Sequence, residues 1–176
     1  MVRHKRYVGE KVYLTALTMR DAEAIAKWHN DPEVAQYFID FREMKSLLTV
    51  QDEVNEMIKS DEAFAIFDIV TDTIIGCSWG ATILIGEKDY WHKGHDLEAL
   101  EFIKDFCFNI RNWNIATVSA FSHDKRALAV YAEAGFKKTC VYRQRLIHGL
   151  NKYDEIHMDL LASEYWAAQK IKDGVE

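Results

Sequence analysis

Two short segments do most to limit what this chain can fold into. Lys93-Gly94-His95-Asp96-Leu97-Glu98-Ala99 sets a glycine directly before an amphipathic run of helical spacing, and Asp124-Lys125-Arg126-Ala127 opens a second run that Gly135-Phe136 stops. Each follows a stretch of strand character, so strands and helices must alternate. A glycine before a helix lets backbone N–H groups approach an anion, and the positive end of the helix dipole favours the charge. Tyr131 lies seven residues beyond Asp124, about two turns along and on the same face as the helix start. Together the segments suggest a phosphate-bearing ligand beside a phenol able to give up a proton. The plain alternatives are that the glycine only shapes a turn and that Tyr131 only packs.

The alternation runs along the whole chain. Lys11 to Thr15 reads as a strand, and Thr18 caps a helix carrying Ala22, Ile25 and Ala26 on one face, ended by Asn30. Pro32 suits the first turn of a short helix. Phe38 to Ser46 has no period and reads as a surface loop, after which Thr49 caps a helix bearing Val50, Val54, Met57 and Ile58. Ala63 to Val70 is an interior strand, and Thr71-Asp72 turns into strands at Thr73 to Trp79 and Ala81 to Ile85. Leu100, Ile103, Cys107 and Ile110 mark a long helix, Ile115 to Phe121 a strand, and Ala127, Val130, Tyr131 and Ala134 a helix. Closing strands at Lys138 to Ile147 and Lys152 to Leu160 meet at His148-Gly149-Leu150-Asn151, and a terminal helix starts at Ser163. The fold class is mixed α/β (α+β).

Composition narrows the possibilities further. With 176 residues, 49% of them hydrophobic and 28% charged, the chain supports one core, so residues 1–176 are expected to form a single domain. The basic start Met1-Val2-Arg3-His4-Lys5-Arg6 lacks the apolar stretch of a signal peptide, and no run is long enough to cross a bilayer, which implies a cytoplasmic protein with no membrane partner. Cys77, Cys107 and Cys140 lie in apolar segments without paired spacing and read as reduced core residues, one of them open to reactivity. A net charge of −6 disfavours nucleic acid as a partner and permits a cationic substrate.

In their order these residues resemble the GNAT superfamily of N-acetyltransferases, nearest its ribosomal-protein and polyamine acetyltransferase branch. The likeness is carried by Tyr90-Trp91-His92-Lys93-Gly94, Val12-Tyr13-Leu14, Asn30-Asp31-Pro32-Glu33-Val34, Ile75-Gly76, Ile85-Gly86-Glu87, and His148-Gly149 before Tyr153-Asp154. It implies a mostly antiparallel central sheet flanked by helices, with the fourth and fifth strands splayed to admit acetyl-coenzyme A. It also implies transfer of the acetyl group to a primary amine by direct attack, without a metal. By the same resemblance the backbone N–H near Ile85 stabilises the oxyanion, and Tyr131 protonates the departing thiolate. His92, Lys93, Gly94, His95, Asp96 and Leu97 then receive the pyrophosphate, with Ile85, Asp124, Lys125 and Tyr131 completing the cosubstrate site.

An ordinary phenol, with a pKa of about 10, is protonated at neutral pH and can share its proton with a thiolate of similar basicity. The base that frees the amine is Asp40, Glu43, Glu87 or a water chain. Tyr142, Arg143, Arg145 and Tyr153 alternate on the closing strands and could face an acceptor. His92 and His95 invite a metal reading, but no third ligand accompanies them.

The chain departs from the family pattern twice. Where that pattern has Gln or Arg, then Gly, then Gly or Ala, this chain has Trp91, Gly94 and Asp96, so a carboxylate stands near the expected pyrophosphate unless it turns away to cap the helix. Only eight residues separate Gly76 from Ile85, so the hairpin is short. The acceptor pocket is then either open or closed by a second copy in a homodimer, which would give Trp79 and Trp166 a use. Acceptors compatible with the sequence are a peptide N-terminus, a polyamine, an amino sugar or an aminoglycoside. The rival reading is a domain of the same fold that binds an acyl-coenzyme A or a protein without turnover.

Overall fold

Apolar runs become strands and apolar residues three or four positions apart become helices in this chain, whose computed structural model describes residues 3–37 and 43–172. Contacts divide the chain between Ala99 and Leu100 into two units.

The first unit carries a five-stranded antiparallel sheet in chain order: β1 (Lys5–Val8), β2 (Val12–Ala16), β3 (Ala63–Asp68), β4 (Ile74–Trp79) and β5 (Thr82–Ile85). Every residue of β3 is buried, as its unbroken apolar run implies. The sequence reading has no counterpart for β1, a mostly exposed edge strand held by its pairing with β2. Between β2 and β3 lie α1 (Ala22–Asn30), α2 (Pro32–Ala35) and α3 (Leu47–Lys59).

Thr18, expected as the cap of α1, occupies the cap position of a 3₁₀ turn, Met19–Asp21, that precedes it, and the cap position of α1 is Asp21. The Thr18 N–H and hydroxyl both donate to Asp21 Oδ2 at 2.9 Å. The cap of α3 is Ser46 rather than Thr49: Ser46 Oγ accepts the Thr49 N–H at 3.1 Å, so the helix starts before its first buried residue. Ala22, Ile25 and Trp28 of α1, Val50 and Val54 of α3, and Tyr13, Ala65, Phe67 and Cys77 of the sheet form one core. Burial pushes the Cys77 thiol up to about 12, which removes it as a nucleophile.

The helix α4 (His95–Asp105) contains the division, and a π-helical turn, Phe106–Ile110, continues it. Leu100, Ile103 and Cys107 are fully buried as expected, but Ile110 is 49% exposed. The wider π repeat shifts the phase of the last turn, burying Phe106 and Phe108 instead. The second unit continues with β6 (Ile115–Phe121), α5 (Lys125–Glu133), β7 (Lys137–His148), β8 (Asn151–Leu161) and α6 (Ala162–Lys172), its strands forming an antiparallel sheet in the order β6-β8-β7.

Gly135, at φ +97°, ends α5. The buried Lys104 donates through Nζ to Ala134 O at 2.7 Å, setting a cation on that carbonyl end. Cys140 is exposed on β7, a strand that is mostly solvent-facing, so the placement of all three cysteines in the core is corrected.

Candidate functional site

The end of β5 is fixed by its register. The β4–β5 hairpin turns through Gly80 and Ala81 and closes on the pair Trp79–Thr82. Hydrogen-bonded and non-bonded pairs alternate from there, which makes Gly76–Ile85 a non-bonded pair. The N–H and C=O of Ile85 therefore turn away from β4, toward the outer edge of the sheet. On that edge Ile85 O accepts the Trp91 indole N–H at 2.7 Å. Beyond it the N–H groups of Gly86 and Glu87 both donate to Ile75 O, at 2.9 and 3.1 Å, and end the ladder.

Trp28 holds the same strand end from below. A Cβ on Gly86 would lie 2.1 Å from Trp28 Cδ2, so the indole rests directly on the glycine backbone. Trp28 Nε1 donates to Glu87 Oε1 at 2.9 Å, and Lys27 Nζ reaches the same oxygen at 2.6 Å. Burial opposes charge on Glu87, but these two donors outweigh it and hold the carboxyl below its usual range. A carboxylate so held is a weak proton acceptor, which counts against Glu87 as the general base and makes it a tie between β5 and α1. Of the other candidates, Asp40 lies outside the described residues and Glu43 is exposed.

From Glu87 the chain enters a loop anchored by Lys88, whose Nζ lies 2.8 Å from Asp31 and 2.6 Å from Glu33 at the start of α2. His92, at φ +59°, and Lys93 are exposed, and Gly94 stands at φ +78°. The Glu98 N–H donates to Gly94 O at 3.1 Å, so Gly94 occupies the cap position of α4 and brings no side chain to it. Asp96, expected as the cap, is instead the second helical residue. It is 5% exposed, and its Oδ1 accepts the Leu97 N–H at 3.0 Å.

His95 also turns inward. It is 8% exposed, with Nε2 3.4 Å from Asp68 Oδ2 and its ring edge-on to Tyr90 at 5.0 Å. Its Nδ1 is buried with no hydrogen-bond partner among the described residues. Burial raises the Asp68 pKa, but hydrogen bonds from Thr71 and His95 bring it below the ordinary carboxylate value. Of the six residues expected around a pyrophosphate, His92 and Lys93 thus offer side chains, while His95 and Asp96 can contribute only backbone.

Two residues outside the expected set hold this loop. Lys11 Nζ donates to Lys93 O at 2.7 Å. The Glu98 carboxylate accepts three backbone N–H groups from the β1–β2 turn and the first residue of β2: Glu10 at 2.8 Å, Lys11 at 2.9 Å and Val12 at 2.7 Å. Its partners lie 86 to 88 positions away, so no local sequence signal announces the contact.

In the second unit Asp124 is the cap of α5, its Oδ1 accepting the Ala127 N–H at 2.9 Å, and Lys125 is exposed at the first helical position. This commits the Asp124 side chain to the helix, and its backbone is committed too, with N–H donating to Phe121 O at 2.8 Å and C=O accepting the Leu128 N–H at 3.2 Å, so Asp124 shapes the helix start and leaves the exposed Lys125 for a ligand. Tyr131 is 2% exposed, with its ring 6.0 Å from that of Phe136. A bulge between Tyr142 and Leu146, with Gln144 at φ +53°, interrupts the alternation expected on the closing strands. Tyr142 meets His157 edge-on at 4.6 Å, Arg145 Nε lies 3.5 Å from Glu155, and Tyr153 lies against His123 at 4.1 Å. Among the described residues no group of three or more His, Cys, Asp or Glu side chains could hold a metal, and no helix is long and apolar enough to cross a membrane.

The acetyltransferase (GNAT) domain profile matches residues 11–137. The chain belongs to the GNAT acetyltransferase family, the one that its ordered motifs indicate, and its class is therefore transferase. Among solved structures it is similar to a GNAT-family acetyltransferase from Bacillus anthracis, at 16% identity over 93% of this chain and 100% of that one, with a TM-score of 0.73. It is similar also to spermidine N-acetyltransferase from Vibrio cholerae in complex with CoA and spermine, at 20% identity over 88% and 98% of the two chains, TM-score 0.76. A third is a protein assigned as a ribosomal-protein-serine acetyltransferase from Vibrio cholerae, at 17% identity over 88% and 95%, TM-score 0.63. These likenesses establish the fold, a mixed α/β GNAT arrangement. No protein of curated function matches the sequence.

Proposed function

We propose that the protein moves an acetyl group from acetyl-coenzyme A to a primary amine, by direct attack of the amine on the thioester. The observation that carries this reading in a GNAT-family chain is the end of β5, where Ile85 N–H faces the sheet edge while its own C=O is held by Trp91 and the following Gly86 and Glu87 are locked to Ile75 and Trp28. Attack puts negative charge on the carbonyl oxygen, and a donor that is already fixed stabilises it without reorganisation. Ile85 supplies that donor. The departing thiolate takes a proton from Tyr131. The coenzyme's phosphates rest on the backbone from His92 to Leu97, with the His92 and Lys93 side chains adding polar and positive contact, and the α5 start contributes the exposed Lys125. Asp40, Glu43 or water takes the amine's proton.

The family match runs across the division at Ala99, which supports one functional domain over residues 1–176. The acceptor is a small-molecule or peptide amine in the cytoplasm. Likeness to a spermidine acetyltransferase favours a polyamine, and a net charge of −6 disfavours nucleic acid. Trp79, 56% exposed at the tip of the short hairpin, supports the homodimer reading, with a second copy covering that edge. The rival, a binding domain without turnover, is favoured by the near-complete burial of Tyr131.

Thermal melting with coenzyme A and acetyl-coenzyme A, followed by thiol release over a panel of amines, tests the proposal. Both ligands are expected to raise the melting temperature at millimolar concentration, and at least one amine to release thiol. No shift with either ligand overturns the reading. A shift without thiol release for any amine establishes the rival.

A further inference from the structure

We infer that Glu98 and Lys11 are positioning residues that set the cosubstrate's phosphate loop from the β1–β2 turn; the inference rests on the function proposed above. One carboxylate taking three backbone N–H groups at 2.7 to 2.9 Å is a charge-assisted contact of the strong kind. It is also built to fit closely, since a Cβ on Gly9 would lie 2.6 Å from Glu98 Cδ. Glu98 is the fourth residue of α4 and its own N–H makes that helix's first bond, to Gly94 O. Fixing its side chain therefore fixes the first turn.

Lys11, in the same turn, fixes the other side of the glycine. Its ammonium holds Lys93 O at 2.7 Å, and a Cβ on Gly94 would approach Nζ to 2.9 Å. The two contacts bracket the peptide groups on either side of Gly94. Neither side chain is asked to touch the ligand: each orients backbone that does, and the entropy of ordering the loop is met before the ligand arrives.

Calorimetric titration of coenzyme A and of pantetheine, which shares its thiol arm but has no phosphates, isolates this role. The ratio of the two affinities measures what the phosphates contribute. Glu98→Gln keeps the shape but leaves one acceptor where two carboxylate oxygens served, and faces an NH₂ toward N–H donors. It is expected to weaken coenzyme A binding about tenfold while leaving pantetheine within twofold. Lys11→Met keeps most of the stem and removes only the bond to Lys93 O; about a threefold loss, again confined to coenzyme A, is expected, and this exposed site decides the matter if Glu98→Gln does not fold. Glu56→Gln, on the far-removed surface pair with Lys59, serves as the charge-matched control and should change nothing. Folded variants that bind coenzyme A as the wild type does, or that lose both ligands in proportion, overturn the inference with the proposed function intact. Wild-type protein that does not bind coenzyme A overturns both.

Discussion

The starts of α4 and α5 face the same physical problem and resolve it in opposite ways. Each follows a strand and each leaves first-turn N–H groups to satisfy. At α5 the chain does so itself, because Asp124 folds back on Ala127 N–H and the helix is closed at its own expense. At α4 the cap position is a glycine with nothing to offer, and order comes from outside, through Glu98 and Lys11. A self-capped terminus is finished as a structure; in a terminus braced from elsewhere the glycine cap takes none of the first-turn N–H groups, and here only that of Leu97 is held by a side chain, Asp96. Under the proposed function, the contrast makes α4 the main seat of the phosphates and α5 the helix that carries Tyr131 with Lys125 at its start.

The largest expected effect breaks or confirms that division of labour. Tyr131→Phe keeps the ring and removes the proton, so turnover should fall about 10²-fold with little change in melting temperature or coenzyme A affinity. Lost stability with turnover intact would make α5 purely structural. Asp124→Ala comes next: removing a self-supplied cap should cost about 1 kcal/mol in denaturant unfolding and leave coenzyme A affinity within twofold. A matching loss of affinity would show that the two termini act alike. The smallest effect belongs to Asp96→Asn, which keeps an acceptor for Leu97 N–H but removes a negative charge near the phosphates. Coenzyme A should bind about threefold more tightly, with isothermal titration as the measure, and unchanged affinity would mean that the inward-turned carboxylate lies out of reach of the phosphates.

Legibility in the sequence followed the range of the interaction. Periodic elements such as β3, α1 and α5 were readable because their burial repeats within a few residues, and Gly135 was readable as a stop because positive φ is a local demand. β1 escaped because an edge strand of Lys, Arg, Tyr and Val has no apolar alternation. Ile110 misled because a single π turn changes the period without changing composition. In the candidate site, the glycine before α4 and the end of β5 at Ile85 were legible as structural features from order and resemblance. The inward turn of His95, the tie of Glu87 to Lys27 and Trp28, and the seat of Glu98 were not, since each depends on a partner distant in the chain.

The indole lying on Gly86 has a consequence for how this enzyme family member can vary. Position 86 is closed to every residue with a side chain as long as a tryptophan stands at 28, and a smaller residue at 28 would leave a void under the strand that carries Ile85. The two positions form an epistatic pair: neither can drift alone, though a small-for-large exchange made at both in one step keeps the volume. Random mutagenesis of the strand end should therefore return only glycine at 86 unless position 28 on α1 is varied in the same library.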